Sequence, residues 1–258
     1  MKERWPFSSE PSLLISVVNG REARAALAGG ADIIDLKNPL EGPLGAPAPK
    51  VIEEVCGVVK GHKPFSIALG EFPGKPGAAA LAALGGAYFQ PDFLKIAFLA
   101  HTPSEEMVRT LKEIKSSIGS LPHQKTSQIV SVAFADTIRS GSWNLADFAA
   151  FSQEGGAAGC LIDTWEKNGS SLLDYFTGAE LGEFIESCHT HELFCGLAGA
   201  LKFSHIPLLS RLKPELIGVR SAVCGGDRLG GTVSCQSVRE LKELCGQTEH
   251  EKADKHLA

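Results

Sequence analysis

Lysine recurs at three places where an apolar run ends or is interrupted, at two of them together with aspartate. The first reads Asp32-Ile33-Ile34-Asp35-Leu36-Lys37-Asn38-Pro39. The second sets Lys95 inside Phe93-Leu94-Lys95-Ile96-Ala97-Phe98, and the third reads Ile162-Asp163-Thr164-Trp165-Glu166-Lys167. Asp35 and Lys37 are two residues apart, so on an extended strand both side chains project to one side. A lysine beside other ammonium groups in a partly desolvated pocket loses proton affinity, which frees the neutral nucleophilic amine. Such an amine condenses with a carbonyl to an iminium, an electron sink for carbon–carbon bond chemistry, while a neighbouring lysine or carboxylate moves or orients protons. A single Asp35–Lys37 pair would read as an ordinary strand-end ion pair, and Lys167 beside Asn168-Gly169 as a solvated turn lysine. Lys95 is harder to explain, because burying a charge among apolar neighbours is costly unless its head group snorkels to water. The coincidence of the three places makes Lys37, Lys95, Asp35, Asp163 and Lys167 the candidate catalytic set, with Lys37 the candidate nucleophile.

Two stretches of small residues suit an anion. They are Gly196-Leu197-Ala198-Gly199-Ala200-Leu201-Lys202 and the run from Gly218 through Arg220 and Ser221 to Gly225-Gly226-Asp227-Arg228. Small residues let a ligand approach the backbone, and Arg220 or Arg228 could supply charge. Gly199, Arg220, Ser221, Gly225, Gly226 and Asp227 are therefore candidate phosphate contacts, although any one of these glycines could simply make a tight turn.

Groups so far apart in the chain need a scaffold that gathers them. Eight short aliphatic runs recur: Leu13–Val18, Asp32–Leu36, Pro64–Leu69, Phe93–Phe98, Ile129–Phe134, Ala158–Thr164, Leu193–Leu197 and Leu216–Val219. Between them lie helical segments at Gly20–Ala28, Pro49–Val59, Ser104–Ile118, Leu145–Gln153, Ala179–His191 and Ser204–Leu212, with Ser237–Cys245 after the last run. The runs are apolar throughout rather than alternating, as befits strands buried on both faces of a parallel sheet. Eight strand–helix units in 258 residues predict an α/β fold, a single (β/α)8 TIM barrel. The rival doubly wound sheet lacks its glycine fingerprint, since Val18-Asn19-Gly20-Arg21 is not GxGxxG. In such a barrel the strands' C-terminal ends carry the chemistry, which is where the candidate residues fall, and the loops after strands seven and eight often hold a phosphate. Asn19 is placed to cap the first helix, and the Gly29-Gly30 and Gly155-Gly156 pairs to end helices. The reading divides the chain into an N-terminal extension at 1–10, a barrel at 11–246 and a polar tail at 247–258.

Composition narrows the partners. A net charge of −5 argues against nucleic acid, whose phosphate backbone requires a basic surface. No apolar stretch has the length of a membrane span, and Met1 to Glu10 has no signal-peptide core. The seven cysteines are odd in number, scattered and without a CxxC pair, which points to a reducing compartment and a cytoplasmic protein. The histidines are dispersed, so neither a metal nor a cofactor is expected. The expected partner is a small phosphorylated aldehyde. Oligomeric state stays open, a homo-oligomer included.

The segment Gly29-Gly30-Ala31-Asp32-Ile33-Ile34-Asp35-Leu36-Lys37-Asn38-Pro39, followed by Glu41-Gly42-Pro43-Leu44-Gly45, resembles the (5-formylfuran-3-yl)methyl phosphate synthase family. The resemblance continues through Lys75-Pro76-Gly77, Lys95-Ile96, Asp163-Thr164 with Lys167, Leu197-Ala198-Gly199, Gly218-Val219-Arg220 and Gly226-Asp227-Arg228, nearly the whole chain after its first ten residues. Ala200 and Ser221 depart from the pattern, standing where a hydroxyl and a glycine are expected. The resemblance implies an enzyme similar to class I aldolases, a lyase that joins two molecules of glyceraldehyde 3-phosphate with loss of one phosphate and water. Its furan aldehyde phosphate leads to methanofuran-type one-carbon carriers. It further implies that Lys37 is the Schiff-base lysine and Lys95 the proton acceptor, with Asp35, Asp163 and Lys167 at other active-site positions. Another lysine-dependent aldolase acting on a phosphorylated sugar, and a non-catalytic barrel that binds a phosphorylated metabolite, are the competing readings.

Overall fold

The computed structural model describes residues 10–122, 126–166, 168–227 and 229–246. Eight parallel strands close into a barrel in sequence order: β1 Ser12–Val17, β2 Ile33–Leu36, β3 Phe65–Glu71, β4 Phe93–Phe98, β5 Gln128–Phe134, β6 Gly159–Asp163, β7 Phe194–Leu197 and β8 Leu216–Val219. The predicted TIM barrel is the observed fold, with strand limits within two residues of those expected. No helix among the described residues is long and apolar enough to cross a membrane.

The apolar runs divide into two sets. Outward residues such as Ile15, Ile34, Ile67, Leu94 and Ile162 pack against the helices, whereas Leu14, Ala68, Phe93, Val130, Val132, Leu161 and Phe194 fill the interior. Each strand therefore presents apolar groups on both faces, which is why the sequence does not alternate. The polar exceptions gather on the inner face toward the C-terminal ends, and there Ser16, Asp35, Ser66 and Lys95 are all buried.

The helices start as the sequence suggests. Asn19 Oδ1 accepts the Glu22 amide at 2.9 Å, and Asn144 forms a capping box with Asp147. Gly156 closes the second of these helices in the left-handed region, at φ +80°. The expected helix at Ser204–Leu212 is broken, with a 3-10 turn at Phe203–His205 leading into Ile206–Arg211. A helix at Pro76–Ala87, between β3 and β4, is additional to the predicted segments. Its sequence, PGAAALAALGGA, has no charged residue, so no polar face marks its period. A short 3-10 helix, Ser221–Cys224, follows β8.

Candidate active site

Strand register assembles the site. Ser16 of β1 pairs with Asp35 of β2, and Asp35 with Ser66 of β3, so three polar side chains stand side by side on the inner face. Both serine hydroxyls donate to Asp35 at 2.8 Å, one to each carboxylate oxygen. Lys95 reaches across from β4 and places Nζ 2.7 Å from Asp35 Oδ1. Asp35 is 0 % and Lys95 3 % exposed, so this is a buried ion pair and the lysine does not snorkel. Burial is the strongest influence on Asp35 and pushes its carboxyl up. The charges of Lys95 and Lys37, with hydrogen bonds from Lys95 and Ser66, outweigh it and hold the carboxyl below the ordinary carboxylate value.

Lys37 follows the last residue of β2 and pairs across the barrel mouth with Asp163, the last residue of β6, at 3.7 Å. Asp163 Oδ1 also accepts the amide of Thr164 at 2.7 Å. The loop beyond is tied down by Asp136, whose two oxygens accept the amides of Trp165 at 2.8 Å and Glu166 at 2.7 Å. Asp35 thus takes Lys95 rather than Lys37 as its close partner, and Lys37 takes Asp163. Lys167 lies outside the described residues, as does Arg228.

One cavity at the C-terminal end of the barrel gathers most of the candidates. Lys37, Lys95, Asp163, Gly199, Arg220 and Ser221 all line it, with Ser16 and Ala200. Gly199 has φ +107°, and a Cβ there would stand 2.9 Å from Thr164 Cγ2 and 3.1 Å from the Thr164 amide nitrogen. Glycine at this position lets the loop after β7 close against the end of β6 beside Asp163. The amides of Gly199, Ala200 and Leu201 have no acceptor among the described residues, so they remain available to an oxyanion in the cavity.

Arg220 also lines the cavity, but its guanidinium turns back toward β1. Nη1 donates to the Ser16 carbonyl at 3.0 Å and to Glu22 Oε2 at 2.8 Å, and both charged side chains are buried. Glu22 Oε2 accepts the Val18 amide as well, at 3.0 Å. Arg220 therefore locks the first helix to the barrel mouth, with its charge answered by Glu22. No sequence pattern signals this bond, whose partners lie 198 residues apart. Gly225, Gly226 and Asp227 do not line the cavity. Asp227 is exposed and folds its own loop, accepting the amides of Leu229 and Gly230 at 2.9 Å each. That pattern is an Asx-type turn rather than an open phosphate cradle.

The cavity is lined by Lys37, Lys95 and Asp163, with Asp35 buried behind Lys95, and by a strip of open backbone amides. This arrangement can form an iminium, shuttle protons beside it and hold an anionic group. Comparison with known proteins identifies the family. A family model described as 4-HFC-P synthase matches residues 13–242. The (5-formylfuran-3-yl)methyl phosphate synthase of Methanosarcina mazei is 40% identical over 216 residues, covering 84% of this chain and 92% of the relative. The enzyme of that name from Methanocaldococcus jannaschii is 36% identical over 234 residues, covering 90% and 99%. Among solved structures, phosphoribosyl anthranilate isomerase from Thermotoga maritima superposes with a TM-score of 0.61 at 13% identity, covering 91% of this chain and 98% of that one. KGPDC from Streptococcus mutans gives 0.61 at 11%, covering 93% and 99%, so these likenesses concern the barrel alone. The family match and the curated relatives together show that this chain belongs to the 4-HFC-P synthase family.

Proposed function

We propose that the protein is a Schiff-base lyase that condenses two molecules of glyceraldehyde 3-phosphate into (5-formylfuran-3-yl)methyl phosphate, with Lys37 as the amine. The observation that carries this reading is the pairing of two buried lysines with two buried aspartates in one barrel mouth, Lys95 with Asp35 and Lys37 with Asp163. A buried ion pair is a weak source of stability, so two of them in one cavity argue for chemistry. The neutral Lys37 amine attacks the aldehyde carbon, and loss of water from the carbinolamine leaves an iminium. The iminium acidifies the neighbouring carbon, a base removes its proton, and the resulting enamine attacks the second aldehyde. Lys95, fixed by Asp35, serves as the proton carrier, and Asp163 orients Lys37. Loss of phosphate and water then builds the aromatic furan, and hydrolysis of the remaining iminium frees the product aldehyde and the Lys37 amine.

The amides of Gly199 to Leu201, with the Ser221 hydroxyl, hold a substrate phosphate. Arg220 lines the cavity beside this strip, with Nη1 held by Glu22 and the Ser16 carbonyl. The product supplies the furan of a methanofuran-type carrier, in the cytoplasm where its phosphorylated precursors occur. Incubation with glyceraldehyde 3-phosphate alone tests the reading. A furan aldehyde absorbs strongly in the ultraviolet and appears together with inorganic phosphate. A product without that chromophore identifies a different aldolase, and binding without turnover identifies a non-catalytic barrel.

A further inference from the structure

Ser16 of β1 and Ser66 of β3 make the same bond, each donating its hydroxyl to one oxygen of Asp35 at 2.8 Å, yet only Ser16 lines the cavity. A serine hydroxyl has one proton and two acceptor lone pairs. Lys95 Nζ at 2.7 Å and the two serine donors surround the Asp35 carboxylate, which leaves it the role of acceptor. The Ser16 proton is therefore committed to Asp35, and what Ser16 can offer a ligand is its oxygen lone pairs. No donor among the described residues reaches that oxygen. The backbone beneath it is held on two sides, by the register with Asp35 and by Arg220 Nη1, which donates to the Ser16 carbonyl at 3.0 Å.

The other polar side chains of the cavity are poor acceptors. Lys37, Lys95 and Arg220 only donate. Asp163 is engaged by Lys37 at 3.7 Å and by the Thr164 amide at 2.7 Å. Ser221 belongs to the proposed phosphate strip. The deeper lining, Leu14, Leu161, Ala198 and Gly218, brings no polar side chain. Such a donor-rich cavity suits a phosphate and a carbonyl oxygen, whereas the hydrogen of a substrate hydroxyl needs an acceptor.

Strand order puts Ser16 where the substrate has to lie. The open amides of Gly199 to Leu201 follow β7, and the Lys37 amine comes from the end of β2. In the closed barrel β8 and β1 stand between those two strands. A molecule with its phosphate at the amides and its aldehyde at Lys37 therefore spans the wall made by β8 and β1. Ser16 is level with Asp35, one layer below Lys37 on that wall.

We propose that Ser16 is a specificity-determining residue whose Oγ accepts a hydrogen bond from the hydroxyl on the carbon next to the substrate aldehyde. The site then selects 2-hydroxyaldehyde phosphates over their deoxy counterparts, because a ligand without that hydroxyl leaves the Ser16 oxygen unmet. This deepens the synthase reading and rests on it for the direction in which the substrate lies.

Two ligands that cannot form an iminium isolate this bond. Glycerol 3-phosphate carries the hydroxyl, and 3-hydroxypropyl phosphate lacks it. Calorimetry on the full chain should show the first binding about 2- to 12-fold more tightly, the value of one net hydrogen bond. The preference should disappear in Ser16→Ala. It should persist in Ser66→Ala, which strips the matching hydroxyl from Asp35 outside the cavity. Equal affinity of the parent for both ligands overturns the proposal without any variant. So does a preference that survives in folded Ser16→Ala, or one that Ser66→Ala abolishes as well, which would make Ser16 a support for Asp35 alone. Absence of furan product from the parent and glyceraldehyde 3-phosphate strikes the synthase reading instead. The two failures are distinguishable because calorimetry reads binding and not turnover.

Discussion

Replacing Asp35 by Asn removes one buried charge and leaves the shape of the site almost unchanged. In the parent, Asp35 is 0 % exposed, contacts Lys95 at 2.7 Å and accepts both serine hydroxyls at 2.8 Å. The Asn carbonyl can still accept a hydroxyl, but Lys95 is left as a buried charge without its counterion. Breaking one side of a buried ion pair costs about 3–5 kcal/mol. That is a large part of the roughly 5–15 kcal/mol by which domains are stable. At about 2–4 °C per kcal/mol for a domain near this size, the melting temperature should fall by about 6–20 °C. Urea unfolding at pH 7 measures the loss directly. Asp35→Leu with Lys95→Met removes both charges and should cost much less, since an apolar replacement of the whole pair is often tolerated. The pH dependence has a definite sign. The carboxyl of Asp35 is held below its ordinary 3.8 in the folded protein, so the unfolded chain binds more protons between the two values. Its stabilisation is complete above about 3.8 and is lost as pH falls through the folded value, a slope that Asp35→Asn should lack. An unfolding midpoint in Asp35→Asn equal to that of the parent would refute this reasoning.

Three further substitutions probe the rest of the mouth. Arg220→Met strands Glu22 and should cost about 3–5 kcal/mol in urea unfolding, much of it recovered when Glu22→Gln is added. Ser221→Glu puts a carboxylate against the proposed phosphate strip; two unit charges about 4 Å apart repel by about 1–4 kcal/mol, so KM should rise at least several-fold in steady-state assays. Gly199→Ala forces a Cβ toward Thr164 at φ +107°, and about 1–3 kcal/mol of backbone strain should appear as a lower melting temperature.

The barrel was legible because its eight strands are buried on both faces and so stand out as apolar runs. The same property exposed Lys95, a charge inside such a run, and the two-residue spacing of Asp35 and Lys37 put both on the inner face. Their partners were not legible, because lateral register decides them. Asp35 lies between Ser16 and Ser66 and takes Lys95, which leaves Lys37 to Asp163 across the mouth. The ion pair of Arg220 with Glu22 was not legible either, because the two lie at opposite ends of the chain. The glycines at 225 and 226 resemble a cradle, yet they belong to a turn that Asp227 organises outside the cavity. Helix Pro76–Ala87 escapes pattern reading because an uncharged helix has no polar stripe to reveal its period.

Borohydride reduction during turnover tests the central claim most directly. With glyceraldehyde 3-phosphate as substrate, the reaction is quenched with borohydride, digested and read by mass spectrometry. The iminium mechanism predicts a reduced adduct carrying the substrate's carbon skeleton on the peptide that contains Lys37. Lys37→Arg, which keeps the charge but lacks the nucleophilic amine, should lose both adduct and furan product while remaining folded. Labelling on Lys95 or Lys167 would reassign the nucleophile, whereas turnover with no adduct on any lysine would contradict the mechanism outright.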